Sequence, residues 1–137
     1  MKQYATAYVA TGLVFLAIDI VWLTIAAQKL YRPLMGDMLL ENFRLLPAVL
    51  FYFLYIAGIV VFAISPALGT GRWTTAAMLG AFMGLLAYGT YDLTNQATLR
   101  NWPVIVTIAD LIWGTFLTAS SATIGFLITR AVAGSTN

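Results

Sequence analysis

The chain has 137 residues, 61% of them hydrophobic and 9% charged, with a net charge of +2 and a mean hydropathy of +0.89. A soluble domain carries roughly a quarter charged residues, so this chain lacks the polar groups to cover a water-facing surface and reads as an integral membrane protein. It contains no Cys and no His, which excludes disulfides, Cys or His nucleophiles, the Ser-His-Asp triad and the usual zinc, copper and haem ligands, while the lack of any Lys/Arg block argues against a nucleic-acid partner.

The length accommodates one transmembrane domain over 1–137, with four helical spans of about 20 residues or more. The apolar run that begins near Tyr4 is too long for the core of a signal peptide, so it is read as a first span over about 5–27. Lys29, Tyr31, Arg32 and Pro33 are expected to end it, because a proline and two cations resist deeper burial. Leu39, Leu40, Phe43 and Leu46 then recur at helical spacing, with Asp37, Glu41 and Arg44 largely opposite. That pattern predicts a short amphipathic helix over about 34–45, lying in the membrane interface. A second span is expected over about 46–64, stopped by Ser65-Pro66 and Gly69-Thr70-Gly71.

The third span is expected over about 73–94, and Gly80 and Gly84 in it form a small-xxx-small motif for close helix approach. The fourth is expected over about 102–129. Trp73 and Trp102 begin these two spans and are expected as headgroup-level belt residues. Four spans place both chain ends on one side. Lys2, Arg72 and Arg130 on that side face Lys29, Arg32, Arg44 and Arg100 on the other, a balance that leaves orientation open. The fold class is therefore all-α, a four-transmembrane-helix bundle with an interfacial helix between spans one and two.

Three of the acidic residues, Asp19, Asp92 and Asp110, fall inside expected spans. Each costs about 2.5–3.5 kcal/mol at mid-membrane on insertion scales, so the hydrophobic effect does not explain them. The four-span topology brings all three to the half of the bilayer nearest the Gln28–Pro47 loop. On span three, Tyr88, Asp92 and Asn95 share one face. On span four, Thr107, Asp110, Gly114, Thr118, Ser121 and Gly125 form a small and polar stripe that packs against helices rather than lipid. The segments "DIVW" at Asp19–Trp22 and "DLIW" at Asp110–Trp113 echo each other in antiparallel spans. A bland role is open to all of these groups, as hydrogen-bonding glue that fixes helix register.

The segments "IDIVWL", "YDLTNQATLRNWP" and "IADLIWG" resemble an uncharacterised bacterial inner-membrane family, domain-of-unknown-function family 2177, over nearly the whole chain. The resemblance implies a small, multi-pass helical protein of the bacterial inner (cytoplasmic) membrane. It supplies no reaction and leans weakly toward lipid chemistry.

The functional expectation is a polar intramembrane site, built from Asp19, Asp92, Asn95 and Asp110, that binds or modifies a lipid-like or isoprenoid small molecule. Asp19, Asp92 and Asp110 are the catalytic candidates, since a carboxyl is a competent general acid. Tyr88, Asp92, Asn95, Trp22, Trp113 and Thr107 are the candidate ligand-binding residues. No cofactor and no metal site is expected. Membrane lipid is the expected partner, with a homo-oligomer or a partner membrane subunit kept open. Two alternatives stand beside this: a non-catalytic subunit or assembly factor of a larger membrane complex, and a proton-coupled carrier acting as an oligomer.

Overall fold

The structure, a computed structural model, describes residues 1–40, 42 and 44–134. It is all-helical, with no strand among the described residues. Among the described residues four long helices follow one another: α1 (Lys2–Met38), α2 (Leu45–Thr70), α3 (Trp73–Thr98) and α4 (Val104–Ala133). Of these, α1, α2 and α4 are long and apolar enough to cross a membrane. Glycines, threonines, tyrosines and Asp92 lower the hydropathy of α3.

The chain runs up and down. The Gln3 side-chain amide donates to the Gly134 carbonyl at 3.3 Å, and Arg130 donates to the Gly71 carbonyl at 2.7 Å. The start of α1, the α2–α3 turn and the end of α4 therefore share one end of the bundle. Gly71 ends α2 with φ +73°, a left-handed conformation that costs glycine nothing sterically. At the other end, Asn101 takes φ +64° between α3 and α4, which asparagine tolerates better than most residues.

Pro33 and Pro66 do not stop their helices. Each is preceded by a π-helical turn, Ala27–Tyr31 before Arg32-Pro33 and Val60–Ile64 before Ser65-Pro66. A proline inside an α-helix loses a hydrogen bond and clashes with the carbonyl four residues earlier. The wider π turn moves the backbone partners by one residue and makes room for the ring. Helix α1 thus runs on past 27 to Met38, and α2 past 64 to Thr70. Helices α3 and α4 also extend beyond the expected 94 and 129, to Thr98 and Ala133. The amphipathic helix expected over 34–45 does not take that form: the α1 helix occupies the segment as far as Met38, and Leu39, Leu40, Asn42 and Arg44 are not helical. Glu41 and Phe43, which belonged to that expectation, lie outside the described residues.

Large apolar side chains cover the outside of the bundle, and polar groups lie within an interior whose core is also apolar, with Phe15, Ile59, Ile64, Leu117 and Phe126 fully buried. The interior holds Thr11, Asp19, Asp92, Asp110, Thr118 and Ser121, whereas Leu13, Leu50, Leu54, Phe62, Phe82 and Ile112 point outward. Helix α4 is the hub, packed along α3 and then α1. Gly80 and Gly84 make the α3–α4 contact close. A Cβ on Gly80 would lie 2.9 Å from the Ala122 Cβ and the Thr118 carbonyl, and one on Gly84 would run into the Gly114 carbonyl. The expected close-approach motif meets Gly114 and Thr118 of the small polar stripe of α4 in this contact, whereas Gly125 of the stripe packs on Thr11 of α1 and Ile64 of α2.

Helix α2 is held unevenly. Its π turn packs on α3, α4 and α1, whereas its first part, Leu45–Ile59, leans mainly on α1. A cleft therefore opens between the first part of α2 and the α3–α4 pair. Phe15 closes its inner end, with its ring edge-on to Tyr52 and Tyr55.

Thr11 is fully buried, and its hydroxyl has no hydrogen-bond partner among the described residues. A buried unpaired polar group is unfavourable, while an apolar group of the same shape is nearly neutral or stabilising. Thr11→Val is therefore expected to leave the melting temperature unchanged or to raise it. A clear drop in a thermal melt of the purified protein would contradict this.

Candidate functional site

The cleft holds a cavity of about 430 Å³. Seven of its twelve lining residues are aromatic, and two are the carboxyls Asp19 and Asp110. Its floor is built by α1 and α4. Asp19 and Trp22 lie one turn apart on α1, and Asp110 and Trp113 one turn apart on α4. Because the helices are antiparallel, the two Asp-Trp pairs cross. The Trp113 indole N–H donates to Asp19 Oδ1 at 3.2 Å. The Trp22 indole N–H donates to the Tyr31 hydroxyl at 3.1 Å, and that hydroxyl donates to Asp110 Oδ1. The two indoles stack with centroids 4.5 Å apart and planes 10° from parallel. The echo seen in the sequence thus becomes one joined unit.

Each carboxyl also holds a phenol. Tyr52 on α2 donates to Asp19 Oδ2 at 2.5 Å, so both Asp19 oxygens accept. Tyr31 plays the corresponding part for Asp110. Deeper in, the Tyr55 and Thr118 hydroxyls pair at 2.7 Å, which ties α2 to α4 below the cavity. Tyr88 lies over Gly114, where any side chain would collide with its ring. Leu23, Phe51 and Tyr91 are exposed lining residues and form the outer rim.

Asp92 is fully buried, and among the described residues its oxygens find no hydrogen-bond partner other than the neighbouring Asp110 carboxyl. Its carboxyl faces that of Asp110, near enough to interact. The three carboxyls therefore meet at one end of the bundle, but only Asp19 and Asp110 line the cavity. Among the other candidates, Tyr88, Trp22 and Trp113 line it, whereas Asn95 and Thr107 do not. Thr107 is buried and accepts from the Trp102 indole at 3.0 Å. Trp102 is accordingly no exposed belt residue. The extended backbone of Pro103 and the left-handed Asn101 turn its ring back onto the first turns of α4, edge-on to Tyr91 at 5.7 Å. Trp73, in contrast, is exposed.

Tyr31 and Tyr52 line the cavity and hold its carboxyls, but neither is among the site residues expected from the sequence. The signal for Tyr52 was faint: Tyr52, Tyr55 and Tyr88 are phenols inside apolar runs, and a buried phenol wants a partner. Tyr31 sat in a segment that its neighbouring cations and proline marked as outside the membrane.

Tyr31 is the tie between the end of α1 and α4. One interhelical hydrogen bond in a membrane protein contributes about 0.6–2 kcal/mol. Tyr31→Phe is therefore expected to speed backbone amide exchange over 27–38 by about 3- to 30-fold, with little change elsewhere. Exchange followed by mass spectrometry reads this, and unaltered protection of the segment would refute it.

An all-helical bundle with outward apolar faces, three membrane-competent helices and a polar, aromatic interior defines a helical membrane protein. The family model described as Predicted membrane protein (DUF2177) matches residues 4–127, and the chain belongs to that uncharacterised family. No curated protein and no solved structure matches it.

Proposed function

We propose that this protein crosses a bacterial inner membrane four times and binds one end of a lipid-like amphiphile in the cleft between α2 and the α3–α4 pair. The observation that carries the reading is the cavity itself, with an aromatic wall, two carboxyls within it, and an apolar rim that faces outward. Ligand pockets are mostly apolar concavities of about 300–1,000 Å³ with a few placed polar groups. A space of about 430 Å³ suits a headgroup or the end of a chain, not a whole phospholipid.

Helix α3 supports a fourth crossing on two grounds. Its 26 residues extend about 39 Å at 1.5 Å per residue, more than a hydrocarbon core of about 30 Å. Its outer face carries Met78, Phe82 and Leu86, while Gly80, Gly84 and Asp92 turn inward. The end of α1 around Lys29 and Arg32 then lies at the interface, beside the mouth of the cleft.

The test is native mass spectrometry of protein gently extracted from its own membrane, wild type beside Ala87→Phe, which fills the cavity from its wall. The expected result is a retained lipid-sized mass on the wild type that is missing from the variant. A wild type that carries no small molecule but brings a stoichiometric partner protein would replace this reading with that of a complex subunit.

A further inference from the structure

The chemistry of the cavity wall is one-sided. Its polar atoms belong to phenols, indoles and two carboxyls, with no Lys or Arg among the described residues that line it. The chain has no His. Four of the donors on the wall are engaged within the protein: the Trp113 N–H and Tyr52 hydroxyl on Asp19, the Tyr31 hydroxyl on Asp110, and the Trp22 N–H on Tyr31. An anionic or carbonyl-rich headgroup would find these four donors taken. Beyond the Tyr88 and Tyr91 hydroxyls, what the wall offers is acceptor lone pairs and ring faces. Behind the wall, Asp92 is fully buried with its carboxyl beside that of Asp110. Electron-rich groups are thus gathered from four helices, with no positive side chain among the described residues that line the cavity.

The geometry points to an organic ammonium group as the part of the ligand that the cavity takes, seated among the aromatic rings with Asp19 and Asp110 as its counter-charges. Aromatic faces attract cations through their quadrupoles, most strongly for Trp, and cages of this kind recognise quaternary ammonium groups. A carboxylate next to the cage adds charge-assisted attraction in a setting of low dielectric. The inference rests on the reading of the cavity as a binding site and names the class of ligand for that site. An ammonium headgroup of a membrane lipid and a free amphiphilic amine share this chemistry.

The experiment uses the full chain in maltoside micelles with three probes of equal chain length: hexyltrimethylammonium, hexyl sulfate and uncharged hexyl glucoside. The Trp22–Trp113 stack supplies the readout, as tryptophan fluorescence and near-ultraviolet circular dichroism. Saturable binding of hexyltrimethylammonium, at least tenfold tighter than either other probe, is the expected result. It should weaken at least tenfold in Asp110→Asn and in Asp19→Asn, each checked for an unchanged helical spectrum and elution volume. If one variant fails to fold, the other variant and the three-probe comparison on wild type still decide the matter. Competition by phosphatidylethanolamine in mixed micelles would assign the ammonium to a lipid headgroup, and binding of chain-free tetraethylammonium would assign it to a soluble cation. Both outcomes support the inference. Equal binding of the glucoside or sulfate probe would overturn it while leaving an amphiphile site in place. Binding of none of the three would remove the site and the inference together.

Discussion

Gly84→Leu is expected to break the α3–α4 contact and with it the folded protein. A Cβ at Gly84 runs into the Gly114 carbonyl and lies 2.8 Å from Thr118 Oγ1, so the obstacle is largely backbone, which has nowhere to go. Overpacking a well-filled core costs about 1–3 kcal/mol even where side chains can shift. Here the hub of the bundle has to separate, and the loss is expected at or above the top of that range. Gly114→Ala provides the contrast. Its Cβ collides with the Tyr88 ring, a side chain that can swing or be trimmed. Adding Tyr88→Ala to Gly114→Ala is therefore expected to recover much of the lost stability, whereas no single side-chain trimming recovers Gly84→Leu. Thermal melts followed by size-exclusion chromatography would show this. A Gly84→Leu protein that melts like the wild type would show that the two helices are not in contact there.

Asp19→Ala is expected to have the second largest effect. Asp19 accepts from both Tyr52 and Trp113, so its removal leaves a phenol and an indole N–H in an apolar setting without a partner. Each stranded group costs roughly 1–3 kcal/mol. Asp19→Asn keeps one acceptor oxygen and is expected to cost markedly less than Asp19→Ala. The pairwise share can be isolated with Tyr52→Phe, since a double-mutant cycle removes the terms common to both singles. A coupling of about 0.6–2 kcal/mol is expected. No coupling would mean that Tyr52 and Asp19 do not meet in the folded protein.

The polar side of this architecture was legible because it is so costly. Three carboxyls in apolar runs demand partners, and the antiparallel echo of Asp-Trp pairs drew attention to the residues that join α1 to α4, without showing that they meet. The glycines at 80 and 84 likewise announced the close approach that α3 makes. The ends of the helices were not legible. Pro33 and Pro66 are helix breakers by local rule, and nothing in the adjoining residues signals that a π turn precedes each one. The same error hid Tyr31, because a residue placed outside the membrane is not sought beside Asp110. Asn95 and Thr107 were placed on the right helices, but the choice of faces could not show that Trp102 folds back to take Thr107.

The π turn at Val60–Ile64 sets the rotational phase of α2. Above it, Tyr52 faces Asp19 across the cleft; Ala63 and Ile64 within it and Ala67 below it are fully buried in the bundle. In an α-helix, successive residues differ by about 100° around the axis. The one extra residue held in the turn is what lets a single helix present its phenols to the cleft along one stretch and its small apolar side chains to the core along the next. Helix α2 thus behaves as two half-helices with separate clocks, joined at a place where its neighbours grip it most firmly.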